Sequence, residues 1–266
     1  MTSVACDRPP DFSHYEPWLK QRHGVVVDTQ LRGRYESVTA IAAAKFAETA
    51  LWTGLREQLR EANAQYQVDT RFLLLNVDQP LVLHRKPFQS YLLKTFRKNC
   101  LSPSWPYKPE PNWFLPDRCI PEINDLIRTR LIVRYLDGVE YLLNRIQASA
   151  ESNGLAFRSD MEAKEDGYYA AHAYLSFTCD VPTEAWVVAP TTISIELQIT
   201  TQIQEVISNL THQVYEQRRA ELAPRDKWQW NYRSPQFKTN YLSHILHYME
   251  GMIMDVRDTA QETPDA

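Results

Sequence analysis

The stretch "SIELQITT", residues 194–201, alternates polar and apolar almost without a break. Side chains of a strand alternate with a period of two, so Ile193, Ile195, Leu197 and Ile199 fall on one face. Ser194, Glu196, Gln198 and Thr200 fall on the other. The first face is made for a core. The second sets a carboxylate beside an amide, which is either a solvated sheet face or the floor of a polar site. The strand alone does not separate the two.

Reading outward, "YYAAHAYLSF" (168–177) is a second strand with His172, Tyr174 and Ser176 on one face, and "RTRLIVRYL" (128–136) is a third. "DGVEYLLNRIQASA" follows as a helix with Asp137 as the expected N-cap. Beyond the alternating stretch, Ile203, Val206, Ile207, Leu210 and Val214 make an apolar helical stripe. A last helix, about 237–257, repeats the pattern with Leu242, Ile245, Leu246, Met249 and Ile253. Towards the N-terminus, Ser37 to about Gln67 are strong helix formers, with Leu51, Leu55 and Leu59 at helical spacing. "RFLLLNV" fits a strand or a helix. "PFQSYLLKTFRKN" (87–99) reads as a helix with a basic side at 94, 97 and 98. Residues 101–121, with six prolines and four large aromatics, form a long ordered loop: a packed element or a contact surface.

This order predicts an α/β chain of the α+β kind, one mixed sheet packed by helices. The expected organisation is an N-terminal extension (1–35) partly draped over the surface, one domain (36–258) and a disordered tail (259–266).

Composition narrows the function. A hydrophobic share of 44% suits a globular core, and a net charge of −4 argues against bulk capture of DNA, though a local basic patch remains open. The four cysteines form no CxxC pair, so free thiols in the cytoplasm are expected. No apolar run is long enough to cross a membrane. The seven glycines make neither GxGxxG nor a P-loop, so any nucleotide is held by other means.

Four polar spots lie near strand edges: Asp125 with Arg130, Tyr168 with His172, Glu196 with Gln198, and the basic stretch of Lys86, Lys94, Arg97 and Lys98. Two carboxylates suit Mg²⁺, which prefers hard oxygen ligands and shares them with substrate phosphates. Lysine and arginine neutralise phosphate charge, a carboxylate accepts a hydroxyl proton, and a tyrosine stacks on a base. Each also has a plainer reading: a helix or strand cap for Asp125, a satisfied histidine for His172, a solvated carboxylate for Glu196. His244 and His247 lack a third ligand and read as surface histidines.

Taken in order, "DLIRTRLIV" (125–133), "EDGYYAAHAYL" (165–175), "IELQITT" (195–201) and "THQVYEQRR" (211–219) resemble the synthetase domain of the RelA/SpoT family. "HRKPFQSYLLKTFRKN" (84–99) is similar to that domain's basic phosphate-handling stretch. The resemblance implies a pyrophosphokinase that moves the β,γ-pyrophosphate of ATP to a ribose 3′-hydroxyl with Mg²⁺. It implies Asp125 and Glu196 as metal ligands, with Glu196 also activating the acceptor hydroxyl. Lys86, Lys94, Arg97, Lys98 and Arg130 would bind ATP phosphates, and Tyr168, His172 and Gln198 the acceptor. Three positions depart from the family pattern: Arg128 replaces a glycine, Thr200 an arginine, and the tyrosine motif reads Tyr-Tyr-Ala-Ala-His. These departures resemble the toxin branch of small alarmone synthetases. From it we expect a tRNA 3′-CCA acceptor, arrest of translation, possible contacts from Arg218 and Arg219, and a separate antitoxin protein. The alternatives are an alarmone synthetase using guanine or adenine nucleotides, and an inactive nucleotide-sensing module.

Overall fold

A computed structural model describes residues 8–76, 78–219 and 227–262, with residues 211–219, 261 and 262 described for their backbone alone. Helices α1 (Tyr15–His23), α2 (Thr29–Ala47) and α3 (Ala50–Thr70) precede a two-residue strand β1 (His84–Arg85) and helix α4 (Phe88–Cys100). Strand β2 (Ile127–Val133) leads through α5 (Asp137–Ser152) to β3 (Ala156–Ala163), β4 (Tyr169–Pro182) and β5 (Val188–Thr201). Helices α6 (Gln202–Arg219) and α7 (Pro235–Glu262) follow.

The five strands form one mixed sheet in the order β1-β2-β5-β4-β3, in keeping with the expected fold class. Strands β2 and β5 run parallel; the other pairs are antiparallel. A parallel pair needs a long crossover, here supplied by α5 and the β3–β4 hairpin. The alternation in residues 193–199 plays out as read: Ile193, Ile195, Leu197 and Ile199 are buried, together with Leu131 and Val133 of β2 and Ala171, Ala173 and Leu175 of β4. Helices α2 and α5 cover this face. Each large aliphatic side chain there gains about 1.5–3 kcal/mol on leaving water. The opposite face carries the polar residues.

Several elements differ from the sequence reading, each for a local reason. The helical run from Ser37 is two helices, because Thr49 leaves the helix and its Oγ1 caps α3 by accepting from Trp52 N at 3.3 Å. Of "RFLLLNV", residues 71–76 are neither strand nor helix, and Val77 lies outside the described residues. Asn63 Oδ1 accepts from the backbone N–H of Leu74 and Leu75 at 2.9 and 3.1 Å, and Leu75 makes a single bridge to Val133. Within the N-terminal extension, Tyr15 and Leu19 are fully buried and so belong to the core. The proline-rich loop is packed: Asn99 bonds Phe114 through both its backbone groups, and Trp105 and Trp113 lean on Trp18. Asp137 is the first residue of α5, not its N-cap, and its carboxylate serves Tyr66 and Arg257 instead. Helix α7 runs to Glu262, past the point where a tail was expected.

The two C-terminal helices correct the expected apolar faces. On α6, Ile207 is buried but Val206 and Leu210 are exposed; Val214 falls among residues described by backbone alone. On α7 the pattern is inverted. Asn240, Ser243, Glu250 and Arg257 are buried, while Leu242, Ile245, Met249 and Ile253 are exposed. Two of the inward polar groups are well partnered: Glu250 accepts from Thr201 Oγ1 and from Gln204 Nε2 at 3.3 Å, and Arg257 donates to Asp137, whereas Asn240 Nδ2 is buried without a hydrogen-bond partner.

Candidate functional site

Register places the polar residues of five strands in rows. Across one row run His84 of β1, Arg128 of β2, Glu196 of β5, Tyr174 of β4 and Arg158 of β3. The next row holds Arg130, Gln198, His172 and Asp160. The period of two therefore brings residues scattered over more than a hundred positions onto one surface.

A chain of hydrogen bonds links these rows. Arg130 Nε donates to Gln198 Oε1 at 3.2 Å, and Gln198 Nε2 donates to the Tyr168 hydroxyl. The Tyr168 hydroxyl pairs with His172 Nε2 at 3.1 Å, and His172 Nδ1 contacts Glu196 Oε1. Tyr168 accepts from Gln198, and in the tautomer with its proton on Nδ1, His172 accepts from the Tyr168 hydroxyl at Nε2 and donates to the Glu196 carboxylate. Burial, then the charges of Glu196 and Glu162, push the Tyr168 phenol far up, keeping it a donor. Tyr168, His172, Gln198, Glu196 and Arg130 thus form one connected unit.

Beside this unit lies an ionic cluster. Asp125 pairs with Lys94 Nζ at 2.7 Å and with Lys86 Nζ at 3.0 Å. Burial would raise its carboxyl, but the two ammonium groups overcome that and hold it at about 2. Lys86 is positioned by its own backbone, whose N–H bonds Leu126 O at 2.8 Å, and Lys94 projects from the first half of α4. Lys98, one turn further, lies 4.2 Å from the Phe114 ring and still feels Lys94 and Asp125. Arg97 is exposed on the same helix. The side chains of Arg218 and Arg219 lie outside the described residues.

The two halves share one surface. The Tyr174 phenol is raised to about 12 by burial and then by the charges of Glu196, Glu162 and Asp125. No group of three or more His, Cys, Asp or Glu side chains gathers around a metal position among the described residues. Two carboxylates, Asp125 and Glu196, offer the hard oxygens that fit Mg²⁺ in kind, because that ion usually keeps waters and completes its shell with phosphate oxygens.

Sequence reasoning missed β3 and with it Glu162. Its carboxylate lies 3.5 Å from His172 Nε2 and 2.5 Å from Lys164 Nζ, and Lys164 in turn sits 4.7 Å from the Tyr168 ring. The alternation of Arg158, Asp160 and Glu162 was the available signal. His244 and His247 are likewise more than surface histidines. His247 stacks on Tyr169 at 3.6 Å, and His244 Nδ1 lies 2.8 Å from the Tyr169 hydroxyl. Gly167, at φ +86°, seats the turn before Tyr168 against α7, where a Cβ would come within 2.5 Å of Ser243. Helix α7 thus backs the tyrosine turn.

No family model matches the chain, and none of the curated proteins matches it in sequence. Solved structures do match. The small alarmone synthetase 1 from Bacillus subtilis, bound to its product pppGpp, aligns over 88% of this chain and 100% of its own, with a TM-score of 0.55 and 15% identity. Small alarmone synthetase 2 from the same organism aligns over 84% of this chain and 98% of its own, with a TM-score of 0.51 and 15% identity. A second structure of synthetase 1 gives a TM-score of 0.51 at 14% identity, covering 88% of this chain and 97% of its own. The chain has the fold of the small alarmone synthetases.

Proposed function

We propose that the chain is a pyrophosphotransferase that moves the β,γ-pyrophosphate of ATP to a ribose 3′-hydroxyl. The observation that carries this reading is the pairing of Glu196, at the end of a hydrogen-bond chain, with a lysine cluster that holds a single carboxylate. Lys86 and Lys94 would receive the donor phosphates, exchanging one carboxylate for phosphate oxygens. Tyr168 would stack on the acceptor base, with Gln198 and His172 fixing its ring. Glu196 would accept the 3′-hydroxyl proton, its orientation set by His172. Asp125 and Glu196 would hold Mg²⁺, which neutralises charge developing on the transferred phosphates.

For the acceptor we propose the 3′ end of tRNA. Thr200 stands where the family pattern has an arginine, and here it is buried with its hydroxyl 3.4 Å from Tyr169 O. The acceptor side also carries the carboxylates of Asp160 and Glu162. A free guanosine di- or triphosphate would bring several negative charges to that side, whereas a nucleic-acid terminus brings a single diester. Modification of that terminus would block aminoacylation and arrest translation, and such a toxin requires a separate antitoxin.

The test is a transfer assay with γ-labelled ATP, Mg²⁺ and purified protein, offering deacylated tRNA, GDP, GTP, ADP and AMP in parallel. We expect label on tRNA. Label on a free nucleotide would replace the acceptor assignment. Tight binding of ATP with no transfer to any acceptor would favour a nucleotide-sensing module.

A further inference from the structure

The row through Glu196 contains a cation that the proposed function has not used. Arg128 is the register neighbour of Glu196 on the adjacent parallel strand, so the two Cα atoms are about 4.8 Å apart. An arginine so placed beside a carboxylate would ordinarily pair with it. Here Glu196 is buried and turned to His172, while the Arg128 side chain is exposed and makes no hydrogen bond or ion pair among the described residues. Its neighbour on the other side is His84 of the two-residue edge strand, so nothing from the sheet covers it.

The charge around Arg128 is unbalanced. Lys86 Nζ and Lys94 Nζ both pair with Asp125, at 3.0 and 2.7 Å, and Lys98 lies one turn beyond Lys94 on α4. Arg128 faces His84, two residues before Lys86. Four cations therefore stand on this side of the sheet, and Asp125 is the carboxylate that Lys86 and Lys94 share. That excess matches an anion of several charges. A guanidinium adds what the lysines lack, a planar fork that binds two phosphate oxygens at once.

We propose that Arg128 binds the phosphates of the donor nucleotide, as a fourth cation beside Lys86, Lys94 and Lys98 and next to the carboxylate that acts on the acceptor. This rests on the proposed function and deepens its donor site. A phosphate on Arg128 has two conceivable sources, the donor's polyphosphate or the acceptor's backbone. The donor is favoured because Arg128 lies on the β1–β2 side with Lys86, across Glu196 from Tyr168, Tyr174 and His172 on the β4 side.

The experiment measures binding of a non-hydrolysable ATP analogue with Mg²⁺, and the acceptor KM, for wild type, Arg128→Ala and Arg128→Lys. We expect Arg128→Ala to weaken analogue binding about tenfold or more, Arg128→Lys to recover part of the loss, and acceptor KM and Tm to stay put. Unchanged analogue binding in Arg128→Ala overturns the assignment, as does a rise confined to acceptor KM, which would give the phosphate to the acceptor. If the wild-type chain itself binds no analogue, the proposed function falls and takes this assignment with it.

Discussion

Two ionic groups in this molecule use the same chemistry to opposite ends. In one, Arg257 of α7 reaches both carboxylate oxygens of Asp137 at 3.1 and 2.9 Å and donates to the Tyr66 hydroxyl at 2.7 Å. The guanidinium also lies over the rings of Phe72 and Tyr135. Every direction is used, and α3, α5 and α7 are joined by it. In the other, Asp125 is met by two single-point lysines, Glu196 by one histidine, and surplus cations stand nearby. A latch is saturated. A site is left with charge that only a ligand completes.

The sharpest way to break this comparison is Glu196→Gln. It keeps the shape and the contact with His172 but removes the base. We expect transfer to fall by about 10²–10⁴-fold with Tm nearly unchanged. A fully active variant would sink the assignment of Glu196.

Arg257→Ala should do the reverse. It strands Asp137 and should cost about 2–3 kcal/mol, less than a wholly buried pair because the Asp137 side chain is 37% exposed. Thermal unfolding should show a drop of roughly 5–10 °C. A variant with wild-type Tm and no transfer would mean that the latch belongs to the site.

The smallest expected effect is the acid response of Asp125. Its folded value of about 2 lies below the ordinary 3.8, so its stabilisation is present above pH ~4 and disappears as pH falls towards 2. The contribution is about 2 kcal/mol. Urea midpoints measured between pH 2 and 6 should show a shallower acid-side loss in Asp125→Asn than in wild type. Identical profiles would mean that the lysine pairs contribute nothing to the fold.

How much of this was legible beforehand differs by element. Residues 193–199 and the strand bearing His172 could be read because one face is wholly apolar and the other wholly polar. That alternation also set Glu196, Gln198 and His172 side by side. Strand β3 escaped because "AFRSDMEA" is mostly exposed, and the face opposite Arg158, Asp160 and Glu162 is only partly apolar, with Ser159 between Phe157 and Met161. Helix α7 was recognised as a helix, but periodicity does not say which stripe turns inward. Ser243, Glu250 and Arg257 take that place against the Gly167 turn, β5 and α5, none of which is near in sequence. Arg128 was visible as a departure from a family pattern, but its surplus charge needed the register.

Helix α7 bears on the molecule at two points. Ser243 seats the Gly167 turn behind Tyr168, and Arg257 is fastened to Asp137 fourteen residues later, about 21 Å along the axis. The helix is thus a beam on two bearings, one under the Gly167–Tyr168 turn and one at the start of α5. A single rigid element therefore fixes the span between a turn of the polar surface and the saturated ion pair on α5.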